Sequence, residues 1–197
     1  MEDQIILVDT ADNVTGSCGK QEAHEKGLLH RAFSIFIFRK ILKDNPDGTR
    51  TFHVQLLIQR RAAGKYHSAG LWANSCCSHP RKNESMEDAI VRRLTEETGL
   101  TVSGTGGNPG SSADSCSSAD VTGLEEMGAF RYRAEFENGL TENEFDHVFA
   151  GWIDPAKAVQ NGEGVVLHPD PEEADEMCFR DVDEIMNDVL TSPSKYA

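Results

Sequence analysis

Three short stretches carry side chains whose types and spacing could do chemistry. In Asn74-Ser-Cys-Cys-Ser-His79-Pro80, an extended backbone would turn Cys77 and His79 to one face. A thiol beside a metal-bound imidazole can hold a lowered pKa and carry a proton. In Glu142-Asn-Glu144, two carboxylates at i, i+2 share a strand face, which is costly unless a cation neutralises them. His24 and His30 precede the first strongly apolar run. With His79 they make three imidazoles beside two carboxylates, a nitrogen- and oxygen-rich set of roughly octahedral character that suits Mn²⁺, Mg²⁺ or Zn²⁺. Singly, each group has a plainer use: a structural thiol, a turn histidine before proline, a solvated acidic turn, a core-edge imidazole. The combination gives them weight.

A second pattern concerns anions. Arg60, Arg61, Lys65, Arg81, Lys82, Arg92 and Arg93 crowd a chain that is otherwise acidic. Arg81 and Lys82 read as solvated loop cations, and the others suggest a pocket for a phosphorylated small molecule. Arg93 and Glu97 stand four residues apart beside Ile90, so one helix would carry both charges along its apolar stripe.

These groups need elements to hold them. Ala32–Phe38 is apolar on both parities, as a strand covered on both faces would be. Phe52–Arg60 and Glu144–Trp152 read as strands, and Leu71–Ser75 as a short one. Phe130–Phe136 alternates cleanly, with Phe130, Tyr132, Ala134 and Phe136 on one face. Lys43–Gly48 reads as a hairpin loop. Met86, Ala89, Ile90 and Leu94 recur at helical spacing over Ser85–Thr98, with Ser85 and Asp88 resembling a capping box and Gly99 a stop. A second helix is expected over Val182–Leu190 with Asp181 as its cap. Strands mixed with few helices predict an α/β (α+β) sandwich, a mixed central sheet flanked by helices. The whole chain, 1–197, is expected to be one domain. Ser103–Asp120 is so rich in Ser and Gly that it should form a disordered surface loop without chemistry.

Composition narrows the function. With 19 basic and 33 acidic side chains the formal charge is −14, which argues against nucleic acid and against an anionic membrane surface as partners. No run approaches the roughly 20 apolar residues of a membrane helix. The five cysteines are odd in number and unevenly placed, which predicts a reducing cytoplasm rather than a disulfide framework.

Ser78, Glu84, Arg92-Arg93-Leu94, Glu96-Glu97, Gly99 and Leu100 follow the Nudix box, Gly-x5-Glu-x7-Arg-Glu-U-x-Glu-Glu-x-Gly-U, where U is a bulky apolar residue. Ser78 replaces the first Gly, and Arg93 replaces the Glu after Arg. Adding Glu25-Lys-Gly-Leu-Leu-His-Arg-Ala-Phe-Ser34, Arg60-Arg61, Gly70–Pro80, Phe130–Ala134 and Glu142-Asn-Glu144, the chain resembles the type 1 isopentenyl-diphosphate isomerases, Nudix-fold enzymes. The resemblance spans about Lys20 to Trp152 in the family's order. It implies interconversion of isopentenyl and dimethylallyl diphosphate in isoprenoid biosynthesis, on a small prenyl diphosphate, by a monomer or weak dimer.

Carried over to this sequence, the resemblance implies that His24, His30, His79, Glu142 and Glu144 bind a divalent metal (Mn, Mg or Zn). Glu97 would help hold a Mg²⁺ bridging to the substrate diphosphate. Lys20, Arg61, Lys65 and Arg93 would contact that diphosphate. Cys77 and Glu144 would transfer protons on opposite faces of the isoprenoid chain, with Tyr132 assisting Glu144 and Trp72 as an aromatic wall. Members of that family usually continue beyond a segment like Thr191–Ala197 into a Pro-Trp element whose Trp helps close the pocket, a lid that the residues to Ala197 do not supply. Two other readings stay open: a Nudix hydrolase of a nucleoside or isoprenoid diphosphate, which Arg93 in place of Glu disfavours, and a non-catalytic module that binds prenyl diphosphate or metal.

Overall fold

A computed structural model describes residues 4–44, 46–65, 67–102, 120–155 and 165–197. The expected loop at Ser103–Asp120 lies outside these residues except for Asp120. The chain begins with a hairpin, β1 (Gln4–Val8) and β2 (Val14–Gly19), which leads directly into the short helix α1 (Lys20–Lys26). Gly27 ends that helix in the left-handed region at φ 58°, and the chain enters β3 (His30–Asp44). Next come β4 (Arg50–Arg61), β5 (Trp72–Ala73), β6 (Cys76–Ser78) and α2 (Met86–Thr98). Strands β7 (Val121–Glu135), β8 (Thr141–Ile153) and β9 (Ala174–Asp181) follow, then α3 (Val182–Thr191) and a single 3-10 turn at Pro193–Lys195.

Strand β3 is the hub of a mixed sheet. It runs antiparallel to β4 and to β6 and parallel to β8, which pairs onward with β7. The apolar run on both parities now has its reason. Phe33, Ile35 and Ile37 are fully buried on one face against Ala89, Ile90, Leu94 and Leu100 of α2 and its exit. His30, Ala32, Ser34 and Phe36 point to the other face. One strand thus serves a core and a cavity.

Helix α2 starts as the Ser85 spacing predicts: the Ser85 hydroxyl accepts the Asp88 N–H at 3.1 Å. It ends at Gly99, φ 76°, whose N–H donates to the Thr95 carbonyl. A Cβ at Gly99 would stand 2.9 Å from the Cβ of His168, so only glycine fits there. The Nudix-box pair Glu84 and Arg92 ties the entry loop to the helix. Arg92 Nε and Nη2 donate to the two Glu84 oxygens at 2.6 and 2.8 Å, and the Arg81 backbone N–H adds a third bond.

Asp181 is the N-cap residue of α3, as expected, but its side chain makes no capping hydrogen bond in the helix; its carboxylate accepts from His53 Nδ1 and Lys43 Nζ across the sheet. The short strand expected at Leu71–Ser75 is present as β5, confined to Trp72–Ala73, after which Ser75 is tied to β3 and β4 and the chain enters β6. Strands β1, β2 and β9 and helix α1 were not anticipated, because their sequences lack a strong period and take their form from neighbouring strands. The hairpin expected at Lys43–Gly48 is present, with Asp44 opposite Arg50.

Candidate active site

The face of β3 away from α2 floors a cavity of about 690 Å³, lined by residues from Lys20 through Ala197. A second hollow of similar size, about 650 Å³, sits at Phe38, Phe52 and Trp152 and holds none of the candidate groups. At one end of the larger cavity three imidazoles meet one carboxylate oxygen. Glu144 Oε1 lies 3.0 Å from His79 Nε2, 3.4 Å from His30 Nε2 and 4.0 Å from His24 Nε2. Ligand atoms of all four residues fall within 4.8 Å of one another.

Topology explains the meeting. His30 opens β3 and is the register partner of Glu144 on the parallel β8. His79 follows β6, on the opposite flank of β3. His24 descends from α1, packed against β8. Burial makes the imidazolium forms costly: His24 is pushed down to about 3 by burial and then by the adjoining His79, His30 and Lys20, and His79 to about 4 by burial, against an opposing pull from Glu144. Burial would raise the Glu144 carboxyl, but hydrogen bonds from His30 and His79 outweigh it and hold it well below the usual range.

His30 Nδ1 stands 2.8 Å from the Leu28 carbonyl and donates to it, which aims Nε2 at His79 Nε2, 3.2 Å away, and at Glu144. A cation at the centre of these three rings would take the nitrogen lone pairs and the ionised oxygen together. The donor set therefore fits a divalent metal.

The other Glu144 oxygen is given to Tyr132. Oε2 accepts from the Tyr132 hydroxyl at 2.7 Å, and Tyr132 also reaches Glu142 Oε2 at 3.2 Å. Burial and these carboxylates push the Tyr132 hydroxyl far above its ordinary pKa, so it stays a donor. Glu144 is thus divided, one oxygen toward the imidazoles and one toward Tyr132, and both residues line the cavity.

Further along the floor, Cys77 is the register partner of Ser34. Its thiol donates to Asn74 Oδ1 at 2.7 Å and lies 3.3 Å from the Ser34 hydroxyl, which donates in turn to Asp146 Oδ2 at 2.8 Å. The Asn74 amide is aimed by its own donation to the Ile35 and Cys76 carbonyls. A lowered thiol pKa was expected, and the structure reverses it. Cys77 opens onto the cavity but is walled by protein, and burial pushes it up to about 12 despite the Ser34 hydrogen bond. It rests as a thiol.

The cavity also has a cationic lining. Lys20, Arg61, Lys65 and Arg93 all border it, and Lys20 is near enough to the metal-type cluster to act on His24 and His79. Burial lowers Lys20, partly restored by Glu173. The Nε of Arg61 and of Arg93 are buried with no hydrogen-bond partner among the described residues. Other walls are apolar: Phe36, Leu56, Ile58, Trp72, Phe130 and Phe136. The Trp72 carbonyl accepts the Ala197 N–H at 2.9 Å.

A NUDIX domain profile matches residues 29–196. Isopentenyl-diphosphate Delta-isomerase 2 of Aromatoleum aromaticum is 44% identical over all of this chain and 82% of its own length. The chain belongs to the isopentenyl-diphosphate Delta-isomerase family. The Serratia proteamaculans member is 37% identical over the whole chain and 86% of its own length. Among solved structures, DR0079 from Deinococcus radiodurans shares the fold, with a TM-score of 0.60 at 15% identity, covering 96% of this chain and 90% of that one.

In this member of the isomerase family, four of the six residues expected to bind metal come together: His24, His30, His79 and Glu144. Glu142 stands aside, with Oε1 3.0 Å from His67 Nε2 and Oε2 on Tyr132. Glu97 is deeply buried behind Arg93, which it contacts closely, and burial raises its carboxyl. Sequence reasoning did not single out His67, Asn74, Asp146 or Glu173. For Ser34, Asn74 and Asp146 a signal existed, since each shares strand parity or a motif with a chosen neighbour. Glu173 had none: it lies in a turn far along the chain, outside every motif.

Proposed function

We propose that this protein interconverts isopentenyl diphosphate and dimethylallyl diphosphate by adding a proton at one end of the allylic unit and removing one from the other. The observation that carries this reading is one cavity lined by a thiol, a divided carboxylate with its tyrosine, four cations and apolar walls. Proton addition at C4 generates a tertiary carbocation at C3, and loss from C2 completes the shift. An alkene is a weak base, so the donor must be positioned and water kept out. Cys77 and the Glu144–Tyr132 pair serve as the two proton carriers, and they exchange roles between the forward and reverse directions. Lys20, Arg61, Lys65 and Arg93 hold the diphosphate, and Trp72 and Phe130 offer ring faces to the cationic carbon.

His24, His30, His79 and Glu144 would hold a divalent cation, Mn²⁺, Mg²⁺ or Zn²⁺, with Glu142 as a fifth ligand once released from His67. That cation would supply charge stabilisation of the Glu144 carboxylate. Glu97, behind Arg93, would serve a Mg²⁺ carried in with the diphosphate. Donors to this one cavity come from Lys20 to Glu173, which supports a single domain over 1–197. The described cysteines Cys18, Cys76, Cys77 and Cys178 form no disulfide, which supports a cytoplasmic setting. The strong negative charge supports a monomer or weak dimer. No helix among the described residues is long and apolar enough to cross a membrane.

Proton NMR of isopentenyl diphosphate in heavy water with Mg²⁺ and Mn²⁺ tests the proposal. Isomerisation predicts loss of the vinyl signals with deuterium entering the product. Release of phosphate or pyrophosphate instead would assign a hydrolase, and tight binding without exchange would assign a binding module.

A further inference from the structure

Among the cations of the cavity sits an anion of the protein's own. Glu173 lines the same cavity as Lys20, Arg61, Lys65 and Arg93. One of its oxygens is in close contact with Lys65 Nζ, and the other lies 3.0 Å from Arg93 Nη2. A carboxylate bridging a lysine and an arginine makes the charge-assisted bonds that two oxygens of a diphosphate would make there. We propose that Glu173 is an internal stand-in for the diphosphate, occupying the seat between Lys65 and Arg93 and leaving it when substrate arrives, so that it sets how tightly anions bind.

The surrounding backbone suits a side chain that swings on a fixed base. The Glu173 carbonyl accepts the Ala62 N–H at 2.9 Å, and its own N–H donates to the Asp170 carbonyl at 2.9 Å. Asp170 and His168 are in turn pinned by their N–H groups to the Glu97 and Thr98 carbonyls at the end of α2. Only the side-chain torsions of Glu173 are free to change. While seated, it offsets the repulsion of Lys65 and Arg93 on Lys20, which burial above all lowers. A bare anion must displace this carboxylate before it can bind, and that competition weakens binding of any ligand without enough contacts to win. Glu173 thus acts as a specificity-determining residue for the proposed isomerase, on whose diphosphate seat the inference rests.

The test is calorimetric binding of inorganic pyrophosphate, without divalent ions and at low salt, to the full chain and to Glu173→Gln. The amide keeps the shape and removes the charge. Pyrophosphate should bind the variant at least tenfold more tightly, while Glu176→Gln, which removes an exposed partner of Arg60, should change it less than twofold. Glu173→Asp, too short to span Lys65 and Arg93 together, should tighten binding by a smaller factor and serves if the amide variant fails to fold. Unchanged or weaker binding in the folded variants overturns the proposal. Isomerisation of isopentenyl diphosphate by the unaltered protein is followed separately: tighter pyrophosphate binding without isomerisation sinks the functional reading alone. Isomerisation without tighter binding sinks the role of Glu173 alone. Failure of pyrophosphate to bind any form removes the seat and the proposal with it.

Discussion

Replacing Tyr132 by Phe removes one oxygen and tests the division of Glu144. In the structure that hydroxyl donates at 2.7 Å to Glu144 Oε2, while Oε1 is given to the imidazoles. Hydrogen bonds to charged groups contribute about 1.5–3 kcal/mol. If that bond is kept through proton transfer, its loss lowers kcat/KM between about tenfold and about 150-fold, at about 1.36 kcal/mol per decade. The fall should appear mainly in kcat, because the Tyr132 hydroxyl bonds the carboxylates Glu142 and Glu144 rather than any cation that would hold the diphosphate. Affinity for Mn²⁺ should stay within about threefold, because the cation's side of Glu144 is untouched. Initial rates by proton NMR in heavy water, with calorimetric Mn²⁺ titration, measure both. A Tyr132→Phe protein that turns over within twofold of the unaltered one would refute the assignment of Oε2 to the proton path. So would a loss confined to metal affinity.

Three further outcomes follow from the same geometry. Cys77→Ala should lower isomerisation by at least about 100-fold, the usual scale for a positioned proton carrier, with an unchanged melting temperature because the thiol faces a cavity rather than the core. His79→Ala, removing the imidazole nearest Glu144 Oε1, should weaken Mn²⁺ or Zn²⁺ binding by about tenfold or more, read by calorimetry. Glu84→Gln should cost about 1–2 kcal/mol at pH 7, because it breaks the bidentate pair with Arg92. The hydrogen bond from Arg92 holds the Glu84 carboxyl below its ordinary value, so the stabilisation is complete above the unfolded pKa near 4.5 and fades as pH falls through the folded one. Urea denaturation at pH 7 and pH 3 should therefore show the two proteins converging in acid; a constant gap would exclude the ion pair as the cause.

Much of the fold was legible because it rests on local periodicity. Alternation in Phe130–Phe136 put Tyr132 on the face where β8 now supplies Glu144, and the 3.6-residue stripe with Ser85 and Gly99 bounded α2 to within a residue. Hidden from the sequence were the elements whose form depends on neighbours, β1, β2, α1 and β9, and with them the helix that carries His24 and Lys20. The cross-sheet bonds of the α3 N-cap residue Asp181 have the same origin: a cross-strand histidine and lysine take its oxygens, and nothing in the local sequence announces them.

For the chemistry the split is similar. Residue types and short spacings determined which groups take part, because a thiol, an imidazole or a carboxylate brings its reactivity wherever the chain puts it. Their protonation and mutual placement were decided only by folding. The parallel pairing of β3 with β8 sets His30 beside Glu144, and the antiparallel β6 on the other flank sets Cys77 beside Ser34. Burial raises Cys77 where the sequence suggested a lowered pKa, and a turn far along the chain brings Glu173 between Lys65 and Arg93. The physical reason is common to both: desolvation and charge pairing depend on distance in space, which sequence separation does not encode.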